Sequence, residues 1–249
     1  MRHELSGAGA VVTGAGSGLG AATVAALRDR GAAVLALDRD VDALASLPDV
    51  TARTVDVTDD AAMEEVLAAF DAGPLRVAVA CAGVAPAAKL VGRDGPHDPG
   101  LFRRTVEVNL VGTFNLLRLA AARMATSAPR HDGERGLVVT TASIAAEEGQ
   151  MAQCAYAASK GGVAAMTLPA ARELARHGIR VVAIEPGAFA TPMMAGMSEP
   201  VRAGLEASVP FPRRMGVPAE FAQLVLQCVD NPYLNGAVLR LDGGLRMGS

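Results

Sequence analysis

Short apolar runs alternate with helical patterns along the whole 249-residue chain, and this alternation restricts the possible folds more than any other feature. Helical patterns lie between most of the runs, for example over Asp60–Asp71, Leu101–Ala125 and Ala152–His177. Strands that alternate with helices predict a parallel sheet with right-handed connections. We therefore predict a single α/β domain over residues 1–249, built on a doubly wound parallel sheet of seven strands. The predicted strands are 8–13, 33–38, 51–55, 75–81, 136–142, 179–185 and 236–240.

A glycine-rich turn joins the first predicted strand to a helical pattern that continues to about Arg30. The turn contains Gly14, Gly18 and Gly20, a spacing that differs from the commoner G-x-G-x-x-G pattern. Glycines permit a tight turn and a close backbone approach, and the following helix supplies free N–H groups and a partial positive charge. The order of strand, turn and helix favours a dinucleotide-binding site over an ordinary loop.

The second predicted strand ends in Asp38, about twenty residues after the glycines. A carboxylate at this position suits the hydroxyl groups of an adenosine ribose and repels a 2′-phosphate. The sequence therefore predicts NAD rather than NADP as the cofactor. Arg39 follows directly and tempers this prediction, because an arginine there could accommodate the 2′-phosphate of NADP. A helix cap is the structural alternative for Asp38.

Tyr156 and Lys160 are four residues apart and would share one face of a helix. A tyrosine titrates near pH ~10, and a neighbouring ammonium would lower its pKa and make it a better acid/base. Ser143 lies thirteen residues before Tyr156, at the end of a predicted strand, where its hydroxyl could hold a substrate oxygen. The pattern alone is weak, because a surface tyrosine and lysine on an amphipathic helix have the same spacing.

Charge and cysteine content argue against several classes of function. The net charge is −3 at pH 7 with no long basic block, so nucleic acid is not the expected partner. The three cysteines are too few and too scattered for a disulfide framework or a zinc site, so we expect no metal and a reducing, cytoplasmic location. We expect neither a signal peptide before the first strand nor a membrane span, which would need an apolar run of ~18 residues.

Together these motifs resemble the short-chain dehydrogenase/reductase family over essentially the full length of the chain. The matching segments are Thr13–Gly20, Asp56-Val57, Cys81–Gly83, Asn109, Ser143, Tyr156, Lys160 and Pro186-Gly187 followed by Thr191. The resemblance implies a Rossmann-type domain that transfers a hydride at a nicotinamide cofactor. It also implies that the polar residues following the predicted strands meet at one edge of the sheet.

By this resemblance, four residues have catalytic roles. Tyr156 is the expected acid/base, and Ser143 orients the substrate oxygen. Lys160 binds the nicotinamide ribose and lowers the pKa of Tyr156, while Asn109 holds a water that links Lys160 to solvent. Without the family motif, Asn109 would be interpreted as a buried helix residue bonded to the backbone.

The resemblance also implies the ligand contacts. The expected substrate contacts are Ser143, Gln150 and Tyr156. The expected cofactor contacts are Gly14, Ser17, Gly18, Leu19, Gly20, Asp38, Asp56, Val57, Cys81, Ala82, Gly83, Tyr156, Lys160, Pro186, Gly187, Phe189 and Thr191.

Segments outside the shared cofactor motifs are similar to the type-2 3-hydroxyacyl-CoA dehydrogenase subgroup, also described as 17β-hydroxysteroid dehydrogenases. These segments are 106–115, 155–162, 166–169, 209–212, 231–236 and 240–243. The similarity implies NAD-dependent oxidation of 3-hydroxyacyl-CoA thioesters. The alternatives are another member of the same family acting on 3-oxoacyl-ACP, steroid or polyol substrates, a non-catalytic dinucleotide-binding regulator, and a scaffold or RNA-processing partner.

Two loops are expected to frame the substrate pocket, at about 85–99 and 188–215, with Met193, Met194 and Met197 as an adaptable apolar lining. Glu185 stands where family members more commonly have a small or neutral residue, and we expect it at a solvated strand end rather than as a charge that tunes the substrate. The family resemblance, and apolar residues on more than one face of the long helices, imply a homotetramer.

Overall fold

The computed structural model describes residues 5–40, 42, 50–93, 95–195 and 198–248. Within these ranges the strands are β1 (Gly9–Thr13), β2 (Ala33–Asp38), β3 (Val50–Thr54), β4 (Leu75–Ala80), β5 (Val91–Gly92), β6 (Gly95–Pro96), β7 (Gly136–Thr141), β8 (Ile179–Pro186) and β9 (Val238–Leu241). Strands β5 and β6 form a separate antiparallel pair that the sequence did not predict, and the other seven form one sheet.

Helices cover most of the connections between the strands of the sheet. In the described residues they are α1 (Gly18–Asp29), α2 (Asp60–Ala68), α3 (Pro99–Val106), α4 (Gly112–Ala125), α5 (Cys154–Leu174), α6 (Pro192–Ala195), α7 (Glu199–Ser208) and α8 (Pro218–Asp230). None of these helices has the length and apolar character needed to cross a membrane.

The strand order of the main sheet is β3-β2-β1-β4-β7-β8-β9, and every neighbouring pair is parallel. The chain builds outward from β1 to β3, returns to place β4 beside β1, and then builds outward in the other direction. All carboxyl ends therefore lie along one edge, and a crevice opens where the strand order reverses, between β1 and β4. This topology confirms the predicted doubly wound, seven-stranded α/β fold.

Alternate residues of the buried strands pack into two cores, one on each face of the sheet. Val12 of β1 packs with Leu27 of α1 and Phe221 of α8 on one face. Val11 packs on the other face with a cluster that includes Leu116 of α4. Helices pressed against both faces fix the strand ends in place, so the residues at the carboxyl edge have a rigid support.

Two predicted helices have different boundaries in the structure. The segment predicted as one helix over Leu101–Ala125 is α3 and α4, joined by a π-helical turn at Glu107–Val111. The helix predicted from Ala152 begins at Cys154, because Ala152 has a left-handed φ of 68°. The π-helical turn contains Asn109, and such turns are frequent at functional sites.

Candidate active site

The glycine-rich turn packs too closely against its surroundings to carry side chains at two positions. A Cβ atom on Gly20 would lie 2.0 Å from the carbonyl oxygen of Gly14. A Cβ on Gly14, whose φ is 66°, would lie 2.5 Å from the backbone nitrogen of Ala82 after β4. Ser17 precedes α1 and makes no side-chain capping hydrogen bond, so the first N–H groups of the helix are open to an anionic ligand.

Asp38 lies at the end of β2 and braces this turn. Its Oδ2 atom accepts a hydrogen bond of 2.8 Å from the backbone N–H of Gly16, and its Oδ1 accepts one of 3.2 Å from Asp40. Each carboxylate oxygen keeps a further lone pair for a ligand hydroxyl. Among the described residues, Asp38 bonds to this turn and to Asp40 and caps none of the helices named above.

A cavity of about 300 Å³ opens at the carboxyl edge beside this turn. Every residue predicted to contact the cofactor lines it: Gly14, Ser17, Gly18, Leu19, Gly20, Asp38, Asp56, Val57, Cys81, Ala82, Gly83, Tyr156, Lys160, Pro186, Gly187, Phe189 and Thr191. The sequence thus located this set of neighbours from positions spread over most of the chain. Arg39 also lines the cavity.

Asp56 is held as an anion in this cavity wall. Its Oδ1 atom accepts hydrogen bonds from the backbone N–H and the hydroxyl of Thr58, at 3.0 Å and 2.8 Å. The backbone hydrogen bond from Thr58 is the largest cause that lowers the pKa of Asp56. Asp56 therefore presents a fixed negative charge beside Val57.

Lys160 is a buried cation at the base of the cavity, with 5% of its surface exposed. Its Nζ atom donates a hydrogen bond of 2.6 Å to the carbonyl oxygen of Thr141, at the end of β7. Burial lowers the pKa of Lys160 to about 8. Thr141 was missed in the sequence, because it acts through a backbone atom that no side-chain motif reveals.

Tyr156 and Lys160 lie on the same side of α5, with Nζ 6.0 Å from the centre of the tyrosine ring. The expected fall in the pKa of Tyr156 is not seen. Burial raises the pKa of this phenol, and a hydrogen bond with Ser143 opposes the rise. The Nζ atom of Lys160 is directed to the Thr141 carbonyl. Ser143, rather than Lys160, is the group that favours the phenolate in this structure.

A second cavity of about 180 Å³ meets the first at Ser143 and Tyr156, which line both. Gln150 lines this second cavity, as predicted for a substrate contact, and its side-chain amide donates to the carbonyl oxygen of Gly248 at 3.4 Å. Met193 and Met194 border both cavities, whereas Met197 lies outside the described residues. The sequence missed Leu245 and Met247, which bring the carboxyl-terminal segment into this wall.

Asn109 is completely buried and lines neither cavity. Its side-chain amide accepts from the N–H of Val84 at 2.8 Å and donates to the carbonyl of Val84 at 2.9 Å. The same Nδ2 atom donates to Ser159 Oγ at 3.0 Å, and that hydroxyl donates to the carbonyl of Tyr156. Asn109 therefore fixes the loop after β4 to α5. Its two bonds to the backbone of Val84 are those expected of a buried helix residue bonded to the backbone.

Glu185 is not at a solvated strand end, which corrects the expectation from the sequence. Only 1% of its surface is exposed, and its Oε1 atom has no hydrogen-bond partner among the described residues. It lies at the end of β8, beside Arg240 of β9 in the sheet register. Burial is the largest cause that raises its pKa; the nearby carboxylate of Glu147 adds to the rise and Arg240 opposes it. The sequence could not show this, because burial of a strand end depends on the segments packed over it.

The residues at the first cavity fit a nicotinamide dinucleotide. The turn leaves no space for side chains at Gly14 and Gly20, the helix N–H groups face a pyrophosphate position, and Asp38 offers acceptors for ribose hydroxyls. In the part of the chain that the structure describes, no group of three or more His, Cys, Asp or Glu residues could hold a metal ion.

Comparison with known proteins agrees with this geometry. Residues 8–202 match the family described as short chain dehydrogenase, and the chain therefore belongs to that family and is an oxidoreductase. It is 52% identical over 177 residues to 3-hydroxyacyl-CoA dehydrogenase type-2 of Mus musculus, covering 70% of this chain and 68% of that protein. It is 38% identical over 187 residues to the (3R)-3-hydroxyacyl-CoA dehydrogenase of Mus musculus, covering 74% and 68%.

The fold is also shared with a solved structure. The crystal structure of 3-hydroxyacyl-CoA dehydrogenase type-2 from Mycobacterium avium superposes with a TM-score of 0.92 at 42% sequence identity, and each chain is covered to 97%. The human 3-hydroxyacyl-CoA dehydrogenase type-2 is 48% identical over 196 residues, which cover 77% of this chain and 75% of that protein.

We expect Glu185→Gln to change how stability depends on pH. Burial raises the folded-state pKa of Glu185 above its ordinary value of 4.5, so the folded protein keeps a proton that the unfolded chain has released. Stability is therefore lost as pH rises above that value, and glutamine abolishes this loss because it cannot ionise. The Tm of the variant minus that of the wild type should grow as the pH rises above about 4.5, and should level off once the pH has passed the raised pKa of Glu185.

The measurement is thermal unfolding followed by circular dichroism at several pH values. Glu173→Gln makes the same chemical change at an exposed position of α5 and is the control. A Tm difference for Glu185→Gln that stays constant across the range would contradict a raised pKa at Glu185.

Proposed function

We propose that this oxidoreductase interconverts 3-hydroxyacyl-CoA and 3-oxoacyl-CoA thioesters with NAD as its cofactor. The observation that carries the proposal is the position of Ser143 and Tyr156, which line both the first cavity, beside the glycine-rich turn, and the second cavity. A substrate in the second cavity would present its reacting oxygen to both hydroxyl groups. The names of the relatives with 48% and 52% identity support the choice of substrate.

Tyr156 is the proposed acid/base of the reaction. Its hydroxyl gives a proton to the substrate oxygen during reduction and takes it back during oxidation, while Ser143 orients that oxygen by hydrogen bonding. The nicotinamide, when bound, supplies or accepts the hydride at the substrate carbon. Holding both reactants at one junction contributes to the rate because their relative position is fixed before reaction.

Lys160 and Asn109 are proposed to assist Tyr156 and Ser143. Lys160 lines the cofactor cavity beside Tyr156, where we propose that its ammonium binds a ribose hydroxyl of the cofactor. Asn109 keeps α5 and the loop after β4 together through Val84 and Ser159. We propose that it positions the catalytic helix and holds a water that links Lys160 to solvent.

The second cavity suits an acyl chain. Its lining includes Ile144, Leu205, Leu245 and the methionines Met193 and Met247, which present an apolar and adaptable surface. Met193 and Leu205 belong to the segment 188–215, Leu245 and Met247 belong to the carboxyl-terminal segment, and residues 85–87 of the segment 85–99 also line this cavity. We propose that these segments select the substrate, while the sheet edge selects the cofactor.

Asp38 favours NAD, and Arg39 supports one alternative. Asp38 faces the cavity with a carboxylate that would repel the 2′-phosphate of NADP, whereas the exposed Arg39 lines the same cavity and would attract it. An NADPH-dependent reductase of the same family, acting on 3-oxoacyl-ACP, steroid or polyol substrates, is therefore the second candidate. We favour NAD because Asp38 is anchored to the glycine turn, next to the ribose position.

We also propose that the protein is a homotetramer in the cytoplasm. Phe102 of α3, Val111 of the π-helical turn and Phe114 of α4 are each more than a third exposed, and we call them the α3–α4 surface. Leu168 of α5 and Val238 of β9 are further exposed apolar side chains on other elements. Exposed apolar patches of this kind support self-association through more than one surface.

The substrate and cofactor are tested together by following NADH and NADPH oxidation with acetoacetyl-CoA. We expect turnover with NADH and little with NADPH. Asp38→Asn keeps an acceptor for the Gly16 N–H but removes the charge, so the preference for NADH should fall by about tenfold, the equivalent of ~1.4 kcal/mol. Turnover by the wild type with NADPH alone would favour the second candidate, and no turnover despite cofactor binding would contradict the acyl-CoA substrate.

Tyr156→Phe should lower kcat by ~10²–10⁴-fold, because the proton donor is lost, and leave NADH affinity unchanged. The chain has only two tyrosines, and Tyr233, 97% exposed, gives a matched control. Tyr233→Phe should keep the wild-type kcat. If Tyr156→Phe retained more than about a tenth of wild-type activity, Tyr156 would not be the acid/base.

Light scattering should show a mass four times the 25.4 kDa of one chain. Phe114→Asp places a charge in the α3–α4 surface and should dissociate the assembly, because an unpaired buried charge is costly at an interface. Val91→Asp introduces the same charge at an exposed position of β5 and should leave the mass unchanged. A wild-type mass equal to one chain would overturn the tetramer.

A further inference from the structure

A cavity of about 200 Å³ lies at the amino edge of the sheet, opposite the active site. Arg76 enters it from the start of β4 and Arg180 from the start of β8, and Arg130 and Arg135 border it from the loop before β7. The proposed reaction uses none of these residues.

Arg76 is a buried cation that forms no ion pair with the described residues. Only 7% of its surface is exposed. Its Nη1 and Nη2 atoms donate to the carbonyl oxygens of Arg135 and Ala128, at 2.9 Å and 2.7 Å, and its Nε atom has no hydrogen-bond partner among the described residues. Burying a charge is costly unless an opposite charge accompanies it. Because Arg76 bonds only to neutral carbonyl groups, a negatively charged ligand beside it would lower this cost.

The surrounding charges do not supply that partner. Glu134 is the carboxylate that lines the cavity, and its Oε1 atom is already paired with Arg180 at 2.9 Å. His131 also lines the cavity and pairs with Asp132 at 3.0 Å, whereas Asp132 itself does not line it. The guanidinium of Arg130 forms no hydrogen bond or ion pair with the described part of the chain and is exposed at the cavity mouth.

The guanidinium groups at this cavity repel one another. Burial lowers the pKa of Arg76, and the positive charges of Arg130 and Arg135 lower it further, against an opposing effect of Glu134. The guanidinium groups of Arg76, Arg130 and Arg135 thus share one cavity without a carboxylate of their own. An anion inside it would offset a repulsion that the protein alone leaves in place.

We propose that this cavity binds a phosphate group, either as the free ion or as the phosphomonoester end of a small metabolite. Guanidinium groups match the geometry of phosphate oxygens. Arg76 lines the cavity and keeps one N–H, at Nε, without a hydrogen-bond partner among the described residues. A dianion is favoured over a single carboxylate because several uncompensated cations converge there. The bound group would join β4, β8 and the loop before β7, and would stabilise the amino edge of the sheet.

The test is a titration with inorganic phosphate, followed by calorimetry and by Tm, against potassium chloride of equal ionic strength. The protein is first saturated with NADH, because the glycine turn of the active site is itself a phosphate-binding structure. We expect a saturable rise in Tm that chloride does not reproduce. A rise that is linear in concentration, or equal with chloride, would overturn the proposal.

Variants of Arg130 assign the effect to this cavity. Arg130→Glu should weaken phosphate binding by about tenfold or more, because it replaces an attractive charge with a repulsive one, and Arg130→Lys should restore most of it. Arg172→Glu makes the same change at an exposed position of α5 outside the cavity lining and should bind phosphate like the wild type. Equal binding by Arg130→Glu and Arg172→Glu would contradict the assignment.

A variant of the buried Arg76 tests the same site independently. Arg76→Met should abolish the phosphate response, and unchanged turnover in the NADH assay would show that it has folded. Repeating the wild-type titration with AMP distinguishes the two sources: binding of AMP and phosphate alike indicates the end of a metabolite, and binding of phosphate alone indicates the free ion. A full phosphate response in Arg76→Met would overturn the proposal.

Discussion

The hydrogen bond between the Lys160 ammonium and the Thr141 carbonyl is the contact around which the active-site edge is arranged. It joins α5 to the end of β7 and places a buried positive charge where only backbone oxygen receives it. The space beside the ammonium is small: a Cβ on Gly83 would lie 3.7 Å from Lys160 Nζ and 3.1 Å from Asn109 Oδ1. Asn109 then bonds both to the loop after β4 and to α5, so the position of the lysine and the packing of the helix are fixed together.

The site therefore has a rigid part, formed by the sheet, and an adaptable part, formed by loops and short helices. The parallel sheet holds the cofactor-facing residues, and their positions follow from strand ends that two apolar cores keep in place. The substrate-facing wall instead comes from short helices, loops and the carboxyl-terminal segment, whose methionines adjust to different shapes. Ser143 and Tyr156 stand where the two parts meet. Family members can thus keep the cofactor chemistry while the wall of the second cavity changes.

The sequence predicted the sheet well because its strands are continuous apolar runs buried on both faces. The residues predicted to contact the cofactor also line one cavity, since parallel strands bring their carboxyl ends to one edge. Prediction from the sequence failed where long-range packing decides the outcome. The π-helical turn at Glu107–Val111, the burial of Glu185 and the pKa of Tyr156 depend on neighbours that are distant in sequence. A charged Arg76 within the apolar run of β4 is visible in the sequence. The other arginines of its cavity come from other strands and loops, so the sequence could not show that they meet.

The strand order has a consequence for how the chain is made. Strand β1 pairs with β2, which follows it closely, but its other neighbour is β4, and β4 in turn pairs with β7. During synthesis, one side of β4 therefore stays unpaired until residue 136 and its successors have left the ribosome. Parallel pairing of distant segments is slow, and an open apolar strand edge attracts other chains. The centre of the sheet, which is fully buried in the finished protein, is for that interval exposed to other chains.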